Sequence, residues 1–220
     1  MLTALKKNGH YNQLLKKVEQ GLVWLDANAR HAIECQETFA FPSKDTAIRK
    51  SIEGSNKVRC YKICLDAIYF DFIMSLMRMY DSYERDTVCF KNLFDYLTDD
   101  FIHDFESKTQ RKANTAIQSA RHEFQKLNGS HLIGRLKTAR HNMLAHTSIN
   151  FNRNQVARYG DAEKLLERTL PILNNLNSTI RGKVEPYDKI RKYWKGYAIE
   201  FWQIMLNKNS GQQIHPVDRE

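Results

Sequence analysis

Breaks are scarce in this chain, with four prolines and nine glycines among 220 residues. An all-β fold needs a turn every few residues, so this scarcity favours long helices. Apolar residues recur at helical spacing between the few breakers. Leu14, Leu15, Val18, Leu22, Val23 and Leu25 predict a first helix over about 12–38. Phe39-Ala40-Phe41-Pro42 should end it, because proline restricts the residue before it. Residues 43–56 read as a linker or a short helix closing at Gly54. A second long helix over about 57–82 is dense in Ile63, Leu65, Ile68, Phe70, Phe72, Ile73, Leu76 and Met77, as a central buried helix would be. A shorter helix follows at 90–97. Asp99, Asp100 and Asp104 are expected near a helix start, where the dipole favours acids, rather than around a metal. A polar helix over about 108–127 breaks at Asn128-Gly129, and Ser130 caps the next, which runs to about His146. Residues 150–160 form a loop. Asp161 caps a helix over 162–180, which Pro171 kinks or breaks and Gly182 stops. A last helix over about 187–206 carries Trp194, Phe201 and Trp202. The expectation is an all-α fold with residues 1–206 as a single domain and 207–220 as a loose tail.

The totals narrow the function. No run of about twenty apolar residues is present, so no membrane span is expected. Met1-Leu2-Thr3-Ala4-Leu5-Lys6-Lys7 lacks the apolar core of a secretory signal, so a cytoplasmic location is expected. The four cysteines, Cys35, Cys60, Cys64 and Cys89, are then expected to be free thiols buried on core faces. Cys60 and Cys64 stand one turn apart, but no second ligand pair lies at a standard zinc spacing. Neither metal nor cofactor is expected. The net charge of +9 is uneven: residues 1–110 hold 15 basic and 16 acidic side chains, residues 111–220 hold 19 and 9. A basic half suits an acidic partner such as RNA, and equally a merely soluble surface. Lys189, Arg191, Lys192 and Lys195, with Tyr193 and Trp194 among them, fit either an RNA-binding stripe or a helix with aromatics inside and lysines outside.

The run Arg140-His141-Asn142-Met143-Leu144-Ala145-His146 carries the most chemistry. At about 100° per residue, Leu132, Leu136, Ala139 and Met143 share one face. Arg140 and His146 then flank Met143 by about 60° on either side. An arginine beside an apolar packing stripe calls for a partner or a purpose. Such a pair can cleave RNA without a metal. The ribose 2′-hydroxyl attacks the adjacent phosphate while a histidine, with a pKa of about 6.5, moves the proton. Arginine's fork holds the phosphate oxygens as negative charge builds. The products are a 2′,3′-cyclic phosphate and a 5′-hydroxyl. A twofold dimer would supply a second histidine as the acid. The same two residues also fit an interface arginine and a capping histidine. Arg78 and Asp81, three apart on the second long helix, are expected to form a helical ion pair, with bracing of the active site as the alternative. The other histidines, at 10, 31, 103, 122, 131 and 215, have no evident partner in the sequence.

The run Arg140-His141-Asn142-Met143-Leu144-Ala145-His146-Thr147 resembles the signature of HEPN domains: arginine, a polar residue, a short spacer, then histidine. Tyr159-Gly160-Asp161-Ala162-Glu163-Lys164-Leu165-Leu166 is similar to the run that opens the next helix in the abortive-infection AbiU-type branch. The resemblance covers residues 60–180 at least. It implies a HEPN-like helical bundle with additional N- and C-terminal helices, dimerising with its motifs face to face. It further implies metal-independent endoribonuclease activity in phage defence or as a toxin, with RNA as substrate and an antitoxin or regulatory protein as a possible partner. Some HEPN domains instead only bind RNA, nucleotides or partner proteins. By position, Arg140 would stabilise the phosphate and His146 transfer the proton. His141 would orient the arginine or contact RNA, and Asn142 is the other candidate for that role.

Overall fold

The computed structural model describes residues 2–46, 50, 58–81, 88–144 and 157–205, and among these the chain forms eight α-helices and no strand. They are α1 (Leu2–Lys44), α2 (Val58–Tyr80), α3 (Phe90–Tyr96), α4 (Asp99–Thr109), α5 (Asn114–Asn128), α6 (His131–Leu144), α7 (Tyr159–Leu176) and α8 (Tyr187–Met205). A π-helical turn, Asn177–Arg181, extends α7. The all-α expectation holds.

α1 is the spine, packing against α2, α7 and α8, while α5 lies along α7 and α6 bridges α2 and α7. Val18, Leu22, Leu25, Ala29 and Ile33 recur at three- and four-residue steps and are fully buried. They meet Phe72, Ile73, Leu76 and Met77 of α2 and Leu165, Leu166 and Leu173 of α7 in one core. Each such large side chain contributes about 1.5–3 kcal/mol by burial. Val23, read as part of the apolar stripe, is instead half exposed. α2 is also less central than its composition suggested: only its second half, from Phe72 on, is buried, and Ile63 stands out in solvent.

α1 runs through Pro42 to Lys44, where the sequence suggested an end near Thr38. A proline has no N–H for the carbonyl four residues back. Here that carbonyl belongs to Thr38, and it accepts the Trp202 indole N–H at 2.7 Å. Trp202, buried in α8, thus supplies the donor that Pro42 lacks. α7 likewise continues past Pro171, with no break there, to the π turn and a left-handed Gly182 at φ 65°.

The polar helix expected over 108–127 begins later, as α5 at Asn114, and a separate helix given no range from the sequence, α4, precedes it. Gln110, at φ 58°, ends α4, and the Glu106 carboxylate accepts the backbone N–H groups of Ala113 and Asn114 ahead of α5. Thr98 caps α4 by accepting the Phe101 N–H, which places Asp99 and Asp100 in the first turn as expected. Ser130 stands just before α6 as expected, but its hydroxyl turns back to donate to the Leu127 carbonyl. Asp161 does not precede its helix. α7 begins at Tyr159, and Asp161 reaches back from the third position to accept the Arg158 N–H at 3.0 Å. All four cysteines are free thiols; Cys35 and Cys89 are buried, but Cys60 is exposed and Cys64 only partly covered, because both lie on the open half of α2.

Candidate active site

Arg140 lies on the packed face of α6, in register with buried Ile133, Leu136 and Ala139. Its side chain keeps only 14% of its exposure, and its guanidinium pairs with Asp81, whose side chain keeps 8%. Lys137, one turn before Arg140, approaches the other Asp81 oxygen at 3.6 Å. Asp81 follows directly on α2, its N–H still bonded to the Met77 carbonyl. The carbonyl end of a helix disfavours a carboxylate, so Asp81 depends on the two cations that α6 brings. Among the described residues the cluster sets two positive side chains, Lys137 and Arg140, on the one Asp81 carboxylate. Burial draws the Arg140 pKa down from its ordinary value. That value is so high that the group stays charged near neutrality.

This arrangement corrects the sequence reading of Asp81. It does not pair along its own helix with Arg78, which faces solvent; it reaches across to α6.

A second ion pair fixes α6 from the other side. Arg135 donates through Nε and Nη2 to the two oxygens of Asp161, at 2.9 and 2.7 Å. The Arg135 bonds, and then the Arg158 N–H, hold the Asp161 carboxyl below its usual range against the opposing effect of burial. α6 is therefore tied to the end of α2 by Arg140 and Lys137, and to the start of α7 by Arg135.

His141, next to the arginine, is exposed at the end of α6. Asn142 continues the helix, and its side chain lies outside the described residues. His146 lies wholly outside the described residues, so its approach to Arg140 is not part of the described structure.

The basic stripe on α8 is present in altered form. Lys189, Lys192 and Lys195 are exposed, as are Tyr193 and Tyr197, which stack edge to face with centroids 4.5 Å apart. Phe201 is exposed further along. Aromatics therefore face outward, not only inward as the alternative reading required. Arg191 leaves the stripe: it turns inward to Glu167 at 2.6 Å and to Glu37 at 3.6 Å.

No helix among the described residues is long and apolar enough to cross a membrane. An all-helical chain in which a largely buried arginine opens an Arg-polar-spacer-His run is similar to HEPN-type proteins. The chain belongs to the HEPN_AbiU2 family, described as AbiU2, whose sequence model matches residues 10–201. No curated protein and no solved structure shows a significant match.

Proposed function

We propose that the chain is a metal-independent endoribonuclease of the HEPN type, acting in phage defence or as a toxin, with Arg140 and His146 as its catalytic residues. The observation that carries the reading is the setting of Arg140. A charged fork on a packing face, oriented by Asp81 and accompanied by Lys137, is suited to hold a phosphate as charge builds on it. His146 moves the proton of the attacking 2′-hydroxyl, and a second copy of the chain supplies the histidine that protonates the leaving oxygen. Asp81 is a positioning residue. His141 and Asn142 are auxiliary groups that orient the arginine or contact RNA. The exposed tyrosines and lysines of α8 support RNA as the partner, because a base can stack on Tyr193 or Tyr197 while the lysines meet phosphate.

The test is cleavage of tRNA, rRNA and mRNA in EDTA by the wild type, by His146→Ala and by Arg140→Lys, each shown to be folded. Activity in the wild type with loss in both variants is expected. Undiminished activity of folded His146→Ala would remove the assignment. A second reading has one observation in its favour: the Asp81 carboxylate already occupies Arg140, as in a structural pair. A non-catalytic RNA-binding module would show salt-sensitive RNA binding with no cleavage by any form.

A further inference from the structure

We infer that His31, Cys35 and Asp71 form a binding site for a divalent transition cation of the zinc type, between α1 and α2. His31 and Cys35 are four residues apart and share one face of α1, and Asp71 reaches them from α2. His31 Nε2 is 2.7 Å from Asp71 Oδ2. Cys35 Sγ is 3.9 Å from His31 Nε2 and 4.0 Å from Asp71 Oδ2. One nitrogen, one sulfur and one oxygen donor therefore lie within 4.8 Å of one another. Tetrahedral zinc, with bonds of about 2.0–2.3 Å, sets such donors about 3.4–3.6 Å apart. Opening the His31–Asp71 contact by under an ångström and closing the sulfur by a few tenths reaches that triangle.

The surroundings match a metal site in two further respects. His31 Nδ1 lies 3.1 Å from Glu34 Oε2, so the ring is held by a carboxylate on the side away from the other donors. Metal-ligating histidines are oriented in this way. The His31 and Asp71 side chains are also 42% and 44% exposed, which opens a fourth coordination position to water. Both ring nitrogens face carboxylates, so the place between His31 and Asp71 already favours a positive charge. On binding, the cation takes the Nε2 and Sγ lone pairs, and the protons those atoms carried pass to solvent. Asp71 is ten residues before Asp81, about 15 Å along the axis of α2, so this site is separate from Arg140. The inference does not depend on RNA cleavage.

The experiment is titration of the metal-free full chain with Co²⁺, read by absorbance. One equivalent bound, with a sulfur-to-cobalt charge-transfer band in the near ultraviolet, is expected. Cys35→Ser should abolish the band, whereas a Cys60→Ser/Cys64→Ser chain should retain it. Glu34→Gln should weaken binding by about 10–100-fold. Asp71→Asn changes a half-exposed side chain by little in volume, so it keeps the fold tested if Cys35→Ser does not fold; it should weaken binding at least tenfold. A wild type with no thiolate band at cobalt well above the protein concentration, or a band that survives Cys35→Ser, overturns the site and leaves His31–Asp71 as an ion pair.

Discussion

Arg140 gives up most of its solvent and gains the Asp81 carboxylate in return. Cutting one partner out of a buried pair leaves the other charge uncompensated, at a cost of about 3–5 kcal/mol. Lys137 still faces Asp81 when Arg140 is removed, so Arg140→Ala should lose less than this on urea unfolding, and the double variant should lose less than the sum of Arg140→Ala and Asp81→Ala. Loss of activity in Arg140→Ala alone therefore cannot assign catalysis, which is why Arg140→Lys and His146→Ala carry the functional test. The placement of Arg140 on a packing face was legible from helical spacing alone. Its partner was not: Asp81 lies 59 positions away, and the local pattern offered Arg78 three residues before it. His31 shows the same limit. It has a carboxylate on each ring nitrogen, but Asp71 is forty residues distant and only the packing of α1 on α2 brings it near.

Some element boundaries were readable from local residues, and others were set by distant ones. Gly182 stops its helix as expected, and Asp99 and Asp100 sit in the first turn of α4, near a helix start as expected. Pro42 did not end α1, because Trp202, 160 positions later, donates to the orphaned Thr38 carbonyl. Trp202→Phe should leave that carbonyl unsatisfied at a cost of about 1–3 kcal/mol. Adding Pro42→Ala, which restores an N–H in place, should recover part of that loss on thermal unfolding. The tie between α6 and α7 has a pH signature. The bonds from Arg135 lower the Asp161 pKa in the folded state, against an unfolded value of about 3.9. Its stabilising contribution is complete above the unfolded value and fades as pH falls through the lower folded one. Unfolding followed below about pH 4 should therefore show a shallower acid loss in Arg135→Ala, which keeps only the Arg158 N–H on Asp161, than in the wild type.

At the scale of the whole molecule, charge and shape point one way. The basic half of the chain includes α6 with its Lys137–Arg140 pair and α8 with its outward tyrosines. Tyr193→Ala should weaken single-stranded RNA binding by about 1–3 kcal/mol by fluorescence anisotropy, with the fold unchanged. Arg191→Ala should do the reverse, costing stability through its lost Glu167 and Glu37 contacts and leaving RNA affinity nearly intact. The all-helical architecture was open to reading because breakers are few and apolar periodicity is strong. The division of roles within α8 was not, since four basic residues in seven look alike until Arg191 is seen to turn inward. The central claim is that Arg140 and His146 cleave RNA without a metal. The measurement that tests it most directly is end-group analysis of RNA incubated in EDTA with folded wild type and folded His146→Ala. A 2′,3′-cyclic phosphate and a 5′-hydroxyl from the wild type alone is the predicted result; the same ends at the same rate from both chains, or no cleavage of any RNA by the wild type, would contradict it.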